Sequence, residues 1–280
     1  MIKNVGLFIS EYNNGEDMAK VRAHLEETGL FACTDPEAYI RDHDLTASYA
    51  FTDDRQIADR LKSAGFGFSL YDHEVSIAGD FPDSLYIVDQ ITALSSTQID
   101  RMLLRFLRLP WTILTTGRCR VREITEEDVP ILYEIYGESG PAFQYTEGLF
   151  DDPEDELAYT RDYIDHQYRF CEYGIWIVED KTTGKIIGRA GLSNREGYED
   201  AELGYAFALS FRHQGYVTEV CRAILDYARD ELGMERLNAF TLRENTDSVN
   251  LLKRLGFTFV TTAPLSGVIH DLYRISLIPL

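Results

Sequence analysis

Two short stretches hold residues whose types and spacing could do chemistry. The first is Arg212-His213-Gln214-Gly215-Tyr216-Val217-Thr218, with Arg212 and Gly215 spaced Arg-x-x-Gly. Behind it Val217, Val220, Cys221, Ile224, Leu225, Ala228 and Leu232 recur at helical spacing, and Gly233 stands where a helix would stop. Ahead of it, 203–209 predicts a buried strand. A strand, a loop and a helix start in that order suit a diphosphate, because first-turn amides lack intrahelical acceptors and the helix dipole favours an anion there. The second stretch is Asn245-Thr246-Asp247-Ser248, which opens a helix carried by Val249, Leu252 and Leu255 and closed by Gly256. Asn245 is a natural N-cap and Gly256 a natural C-cap. Ser248 falls in the first turn, where its hydroxyl can serve a ligand or bond the local backbone.

Further segments keep company with these. Arg122-Glu123-Ile124-Thr125-Glu126-Glu127-Asp128, Ile186-Ile187-Gly188-Arg189-Ala190-Gly191-Leu192 and Glu202-Leu203-Gly204-Tyr205 precede the loop, and Asn245 to Phe257 follows it. In this order the segments resemble the GCN5-related N-acetyltransferases (GNAT), over roughly 115–280. More narrowly they are similar to the branch that acetylates ribosomal-protein N-termini, with its polyamine and antibiotic relatives. The resemblance implies an α+β fold with a mixed, mostly antiparallel central sheet. It implies acetyl-CoA as cosubstrate and transfer of its acetyl group to a primary amine, a small cationic amine or a protein N-terminus, by direct attack on the thioester.

Carried onto this sequence, the resemblance places phosphate-binding amides at His213, Gln214, Gly215, Tyr216, Val217 and Thr218, next to Arg212. Backbone groups of Phe207, Ala208 and Leu209 would run beside the pantetheine, admitted by a splay between the fourth and fifth strands, with Asn245 at the pantetheine or adjoining backbone. Glu202 would be the base, acting through water, unless it is a solvated strand-end carboxylate. Ser248 would hydrogen-bond the departing thiolate, with Tyr216 and Tyr205 as other hydroxyls. Glu219 is accounted for by its place in the helix's first turn. Three positions depart from the family pattern: Val217 stands where Gly or Ala is usual, His213 where many relatives have an additional glycine, and Leu252 where many have a tyrosine. Val217 and Leu252 leave open a catalytically weak acetyl-CoA-binding sensor module, and the degenerate first half of the chain leaves open a cofactor-free interaction scaffold.

Composition narrows the field. A formal net charge of −20 argues against a nucleic-acid partner, which needs clustered Lys and Arg. It suits a cationic acceptor. The acid-rich run Asp151-Asp152-Pro153-Glu154-Asp155-Glu156 reads as a lip at the acceptor entrance or as a helix start, and 138–145 as part of the acceptor groove. Cysteines at 33, 119, 171 and 221 show no metal-ligand spacing and no disulfide-scaffold density, so no metal is expected and a reducing cytoplasm is. No apolar run approaches the length of a membrane span, and the first residues lack a secretory pattern, which predicts a soluble intracellular protein. The expected partner is a small-molecule amine or a peptide N-terminus; a homodimer stays open.

At 280 residues the chain suits one large domain or two modest ones. A helical pattern over 97–107 stops before Pro110, which sets the boundary at residues 1–111 and 112–280. The first part alternates strand and helix: strands near 5–10, 47–52, 66–71 and 85–88, helices over 17–27 and from 53 or 54 to Gly65. That alternation predicts a smaller α/β Rossmann-like domain, with a distant look of a haloacid-dehalogenase unit. It lacks the Asp-x-Asp pair of such a phosphatase and the glycine fingerprint of a dinucleotide site. Thr52-Asp53-Asp54 reads as a helix cap or as a metal or ligand site. The part is expected to be a degenerate accessory module for docking, dimerisation or regulation.

Overall fold

The computed structural model describes residues 1–10, 16–72, 84–138, 148–265 and 267–278. They form two compact units, Met1–Trp111 and Thr112–Leu280, each with its own sheet.

In the first unit, strands β1 (Asn4–Phe8), β2 (Phe31–Cys33), β3 (Ser48–Thr52), β4 (Gly67–Tyr71) and β5 (Ile87–Val88) alternate with helices α1 (Met18–Glu27), α2 (Pro36–Asp42), α3 (Arg55–Ser63) and α4 (Ser96–Phe106). The strands lie in the order β2-β1-β3-β4-β5 and every neighbouring pair is parallel. This is the flavodoxin-like order among doubly wound sheets. Val21 and Leu25 of α1 pack with Ile99 and Leu103 of α4. Tyr39 of α2 packs with Ala58 and Leu61 of α3 in a separate cluster, so helices cover both faces. Strands β3 and β4 are buried along their whole length, as parallel strands under two helical layers must be. Asp54 caps α3 by accepting from the amides of Gln56 and Ile57. Asp53 instead accepts from the amide and hydroxyl of Ser10, joining the C-terminal ends of β1 and β3.

The second unit carries strands β6 (Thr112–Thr115), β7 (Cys119–Arg122), β8 (Ile175–Asp180), β9 (Ile186–Ser193), β10 (Glu202–Phe207), β11 (Arg236–Thr241), β12 (Thr258–Leu265) and β13 (Val268–Ser276). Their order is β12-β13-β11-β10-β9-β8-β7-β6, antiparallel throughout except for the pair β10–β11. The mixed, mostly antiparallel sheet is the one expected. Around it lie α5 (Val129–Glu138), α6 (Pro153–Tyr163) running through a π-helical turn at Ile164–Tyr168 into α7 (Arg169–Cys171), then α8 (Tyr216–Asp230) and α9 (Thr246–Leu255). Strand β10 stops at Phe207, two residues earlier than the apolar run suggested, because a 3-10 turn begins at Leu209.

Two features of the sequence find their reasons in the sheet. A Cβ on Gly191 would stand 2.0 Å from the Gly174 carbonyl oxygen, and one on Gly188 2.4 Å from that of Ala206, so β9 tolerates no side chain at either place. Arg122 makes a two-pronged contact with Asp128, at 2.7 Å on both oxygens, and reaches Glu179 at 2.7 Å. Asp128 in turn accepts from the amide of Thr125, so this cluster ties β7 to β8 and to the start of α5. The acidic run begins α6: Asp152 caps it and Glu156 accepts from the Phe150 amide. Residues 139–145, most of the expected acceptor groove, lie outside the described residues. Among the described residues no group of His, Cys, Asp and Glu is arranged for a metal ion, and no helix is long and apolar enough to cross a membrane.

Candidate active site

Strand β10 pairs with β9 from Glu202↔Ser193 to Phe207↔Gly188, but shares with β11 only the pair Glu202↔Asn238. That single junction is well fastened. The Asn238 amide donates to the Ala201 carbonyl at 2.8 Å, and its side chain accepts from Arg274 Nε at 2.9 Å. Beyond it the two strands run unpaired, and the sheet opens between the N-terminal ends of α8 and α9. A cleft of about 800 Å³ occupies the opening.

The loop from β10 to α8 forms one wall. Arg212 folds back so that its Nε donates to the Phe207 carbonyl at 3.0 Å. His213 and Gly215 both adopt left-handed backbone, with φ of 55° and 82°. Glycine takes that conformation freely and histidine at a cost of about 1–2 kcal/mol. Gly215 is the N-cap of α8 and no side chain among the described residues caps that end. The first-turn amides are therefore left to the cleft, where His213, Gly215, Val217 and Thr218 line its wall. Burial lowers the pKa of Arg212, a guanidinium placed to gain from a phosphate counter-charge.

The same loop is held from behind by β7. Arg118, one residue before that strand, donates through Nε to Glu219 at 2.6 Å and through Nη1 to the Gln214 carbonyl at 3.0 Å. Its guanidinium lies 4.0 Å from the centre of the Tyr216 ring. Its amide also donates to Glu219 at 2.9 Å. Partial burial on its own would raise the Glu219 carboxyl. Hydrogen bonds from Thr116 and from the Arg118 amide and guanidinium outweigh it and hold the group below the usual glutamate value. Glu219 thus belongs to a brace for the loop.

The opposite wall is the first turns of α9. Asn245 Oδ1 accepts from the Ser248 amide at 3.2 Å, as an N-cap should. The Ser248 hydroxyl, spared that duty, is 2.7 Å from the Tyr205 hydroxyl, and both residues line the cleft. Burial pushes the Tyr205 hydroxyl up, so it stays a proton donor. Leu252 is buried, which removes that position from the hydroxyls available. Tyr216 points elsewhere, donating to Asp180 at 3.0 Å.

Glu202 is buried at the head of β10, three residues before Tyr205 and so on the other face of the strand. Arg195 Nε donates to its Oε2 at 2.5 Å. Arg195 also lines a second depression of about 440 Å³, together with Tyr159, Tyr163 and Gln167. These last three recur every fourth residue along α6 and its π-helical turn, a local widening often found at functional sites.

The structure thus brings Phe207, Arg212, His213, Gly215, Val217, Thr218, Asn245 and Ser248 together around one cleft. Ala208, Leu209, Gln214 and Tyr216 are not on its wall. The Ala208 amide serves the Ile187 carbonyl and its side chain packs on Ile135, while Gln214 binds back to the Ser210 carbonyl. Sequence reasoning missed Arg118 and Arg195, and the cleft-lining Lys253 and Arg254. Arg118 stands 101 residues from Glu219 and nothing local announces it. The helical period did offer a signal for α9: Asp247, Asn250 and Arg254 share the face opposite its buried leucines.

Comparison with known proteins bears on what such a cleft does. The sequence model of the acetyltransferase (GNAT) domain matches residues 118–258, half of the chain. The uncharacterised protein YkkB of Bacillus subtilis is 30% identical over 156 residues, which span 54% of this chain and 88% of that protein. The uncharacterised N-acetyltransferase YnaD of the same organism is 26% identical over 143 residues, 51% of this chain and 81% of that protein. Among solved structures, a GNAT-family acetyltransferase from Bacillus anthracis superposes with a TM-score of 0.50 at 20% identity, covering 59% of this chain and 98% of that one. The microcin C7 self-immunity acetyltransferase MccE, solved with acetyl-CoA and AMP, does so with a TM-score of 0.50 at 15% identity, covering 59% and 98%. At these identities the likeness is one of fold.

Proposed function

Because the chain belongs to the GNAT acetyltransferase family, we propose that its Thr112–Leu280 unit moves the acetyl group of acetyl-CoA directly onto a primary amine, a small cationic amine or a peptide N-terminus. The observation that carries this reading is the opened sheet: β10 and β11 share one register pair, and the gap beyond it meets an uncapped helix N-terminus. An uncapped first turn and a partly buried guanidinium suit the diphosphate of the cosubstrate. Arg212 and the amides of His213, Gly215, Val217 and Thr218 hold it. Phe207 and Asn245 line the path of the pantetheine.

The chemistry follows from the two faces of β10. The acceptor enters from the side of Tyr159, Tyr163 and Arg195, where Glu202 accepts the amine proton through a water. The neutral nitrogen forms its bond to the thioester carbonyl carbon, and the carbon–sulfur bond breaks. The Ser248 hydroxyl, held by Tyr205 across their 2.7 Å contact, hydrogen-bonds the departing thiolate, which takes up its proton from solvent. Arg195 holds the Glu202 carboxylate in place during this exchange.

Titration calorimetry with acetyl-CoA tests the cosubstrate site. Micromolar binding that disappears in Gly215→Glu is the expected result, since that change puts a side chain and a negative charge where φ is 82°. Absence of binding by the folded wild-type protein would refute the proposal.

A further inference from the structure

Several arginines of the second unit are committed to carboxylates. Arg118 is paired with Glu219, Arg120 and Arg122 with Glu179, Arg195 with Glu202, Arg243 with Asp271 and Arg274 with Asp200. Lys253 and Arg254 differ. Both are exposed, both line the cleft, and among the described residues neither is held by a carboxylate. Their place in the last turn of α9 suits the helix dipole, which explains their sign. It does not explain their presence on the cleft wall, where Asn250 precedes them by one turn of the same helix.

The charge balance of the cleft gives them a role. Its wall carries Arg212, Lys253 and Arg254, with His213 beside Asp247 at 3.6 Å and Glu244 adding a further negative charge. Arg212 is turned towards the Phe207 carbonyl, at the diphosphate end. A second phosphate group would meet the field of a chain with formal net charge −20. It binds only where cations are local and uncommitted. Ser248 and Arg254 are separated by about 9 Å along the helix axis, so the two cations stand away from the reacting hydroxyls.

We propose that Lys253 and Arg254 form a subsite for a phosphate monoester, the 3′-phosphate of the coenzyme, and that the protein thereby selects 3′-phosphorylated thioester donors over dephosphorylated ones. The inference rests on the acetyl-CoA reading above and names a specificity within it. Both residues are solvated in the free protein, so the phosphate gains screened, charge-assisted hydrogen bonds whose strength falls with added salt.

Calorimetry with coenzyme A and with 3′-dephospho-coenzyme A separates the possibilities. The wild-type protein is expected to bind coenzyme A about ten-fold more tightly, the scale of one charge-assisted bond at an exposed site. In Lys253→Gln/Arg254→Gln that gap closes to less than about three-fold. It closes through weaker binding of coenzyme A, with dephospho-coenzyme A unchanged and the melting curve intact. The two single variants each close part of the gap, which secures the reading should the double variant fold poorly. Equal binding of both ligands by the wild type overturns the subsite and leaves the acetyl-CoA reading standing. An equal loss for both ligands in the variants overturns it as well. Binding of neither ligand overturns both.

Discussion

Replacing Arg118 with alanine removes the brace behind the loop from β10 to α8 without touching the cleft wall. The side chain of Arg118 is 42% exposed and that of Glu219 25%, so solvent screens their pair to about 0.5–1 kcal/mol. The bond to the Gln214 carbonyl, also at the surface, adds about 0.5 kcal/mol. The loop it steadies contains a left-handed histidine that relaxes if released. Loss of about 1–1.5 kcal/mol of preorganisation corresponds to roughly a five- to ten-fold rise in the dissociation constant for acetyl-CoA. Because Ser248, Tyr205 and Glu202 are untouched, kcat at saturation should stay within about two-fold, so the defect appears in KM. Arg118→Lys keeps the charge but loses the planar fork and the ring contact, and should recover only part of the affinity. The brace also has a pH signature. Its hydrogen bonds hold the folded-state Glu219 below the ordinary 4.5, so its contribution is present above that pH. It is lost as pH falls through the lowered value. Steady-state kinetics with varied acetyl-CoA, beside calorimetry, checks this. An unchanged dissociation constant in Arg118→Ala, or a fall in kcat at constant KM, would refute the reasoning.

The remaining expectations concern the hydroxyl pair, the sheet and the thiols. Ser248→Ala should lower kcat by roughly 100-fold and Tyr205→Phe by roughly ten-fold, with acetyl-CoA affinity little changed in either; equal, small effects would remove the pair from the mechanism. Gly191→Ala should destabilise the protein by about 3 kcal/mol or more, seen as a large fall in Tm, because its Cβ would meet the Gly174 carbonyl oxygen at 2.0 Å. Burial pushes the Cys119 thiol up to about 11 and raises that of Cys221 as well, while Cys33 and Cys171 are partly exposed. Mass spectrometry after brief alkylation of the native protein should therefore find Cys33 and Cys171 modified, and all four only after unfolding.

Much of the second unit was legible because its signals are local. Asn245 and Gly256 bound α9 as the cap residues announced, and Gly215 sits at φ 82° where the loop pattern required a glycine. The strand at β10 was visible as an apolar run, but its end at Phe207 was not, since Ala208 and Leu209 are as apolar as a strand and only the following turn distinguishes them. The brace at Arg118 and the clamp of Arg195 on Glu202 were invisible for a different reason. Arg118 meets Glu219 where α8 packs by the start of β7, and Arg195 meets Glu202 beside the β9–β10 pairing, and no periodicity records either. In the first unit the alternation of strand and helix was readable, yet the short edge strand Phe31–Cys33 gave too little pattern to be seen. Asp53 and Asp54 looked like equivalent caps; only the approach of Ser10 from β1 tells them apart.

Turnover decides the central claim. Purified protein incubated with acetyl-CoA and a panel of amines, spanning polyamines, aminoglycosides and short peptides with free N-termini, should release coenzyme A thiol in step with an acetylated acceptor detected by mass spectrometry. That release should collapse in Ser248→Ala. Tight acetyl-CoA binding with no acetyl transfer to any amine of the panel would contradict the account and leave a cleft that binds the cosubstrate without using it.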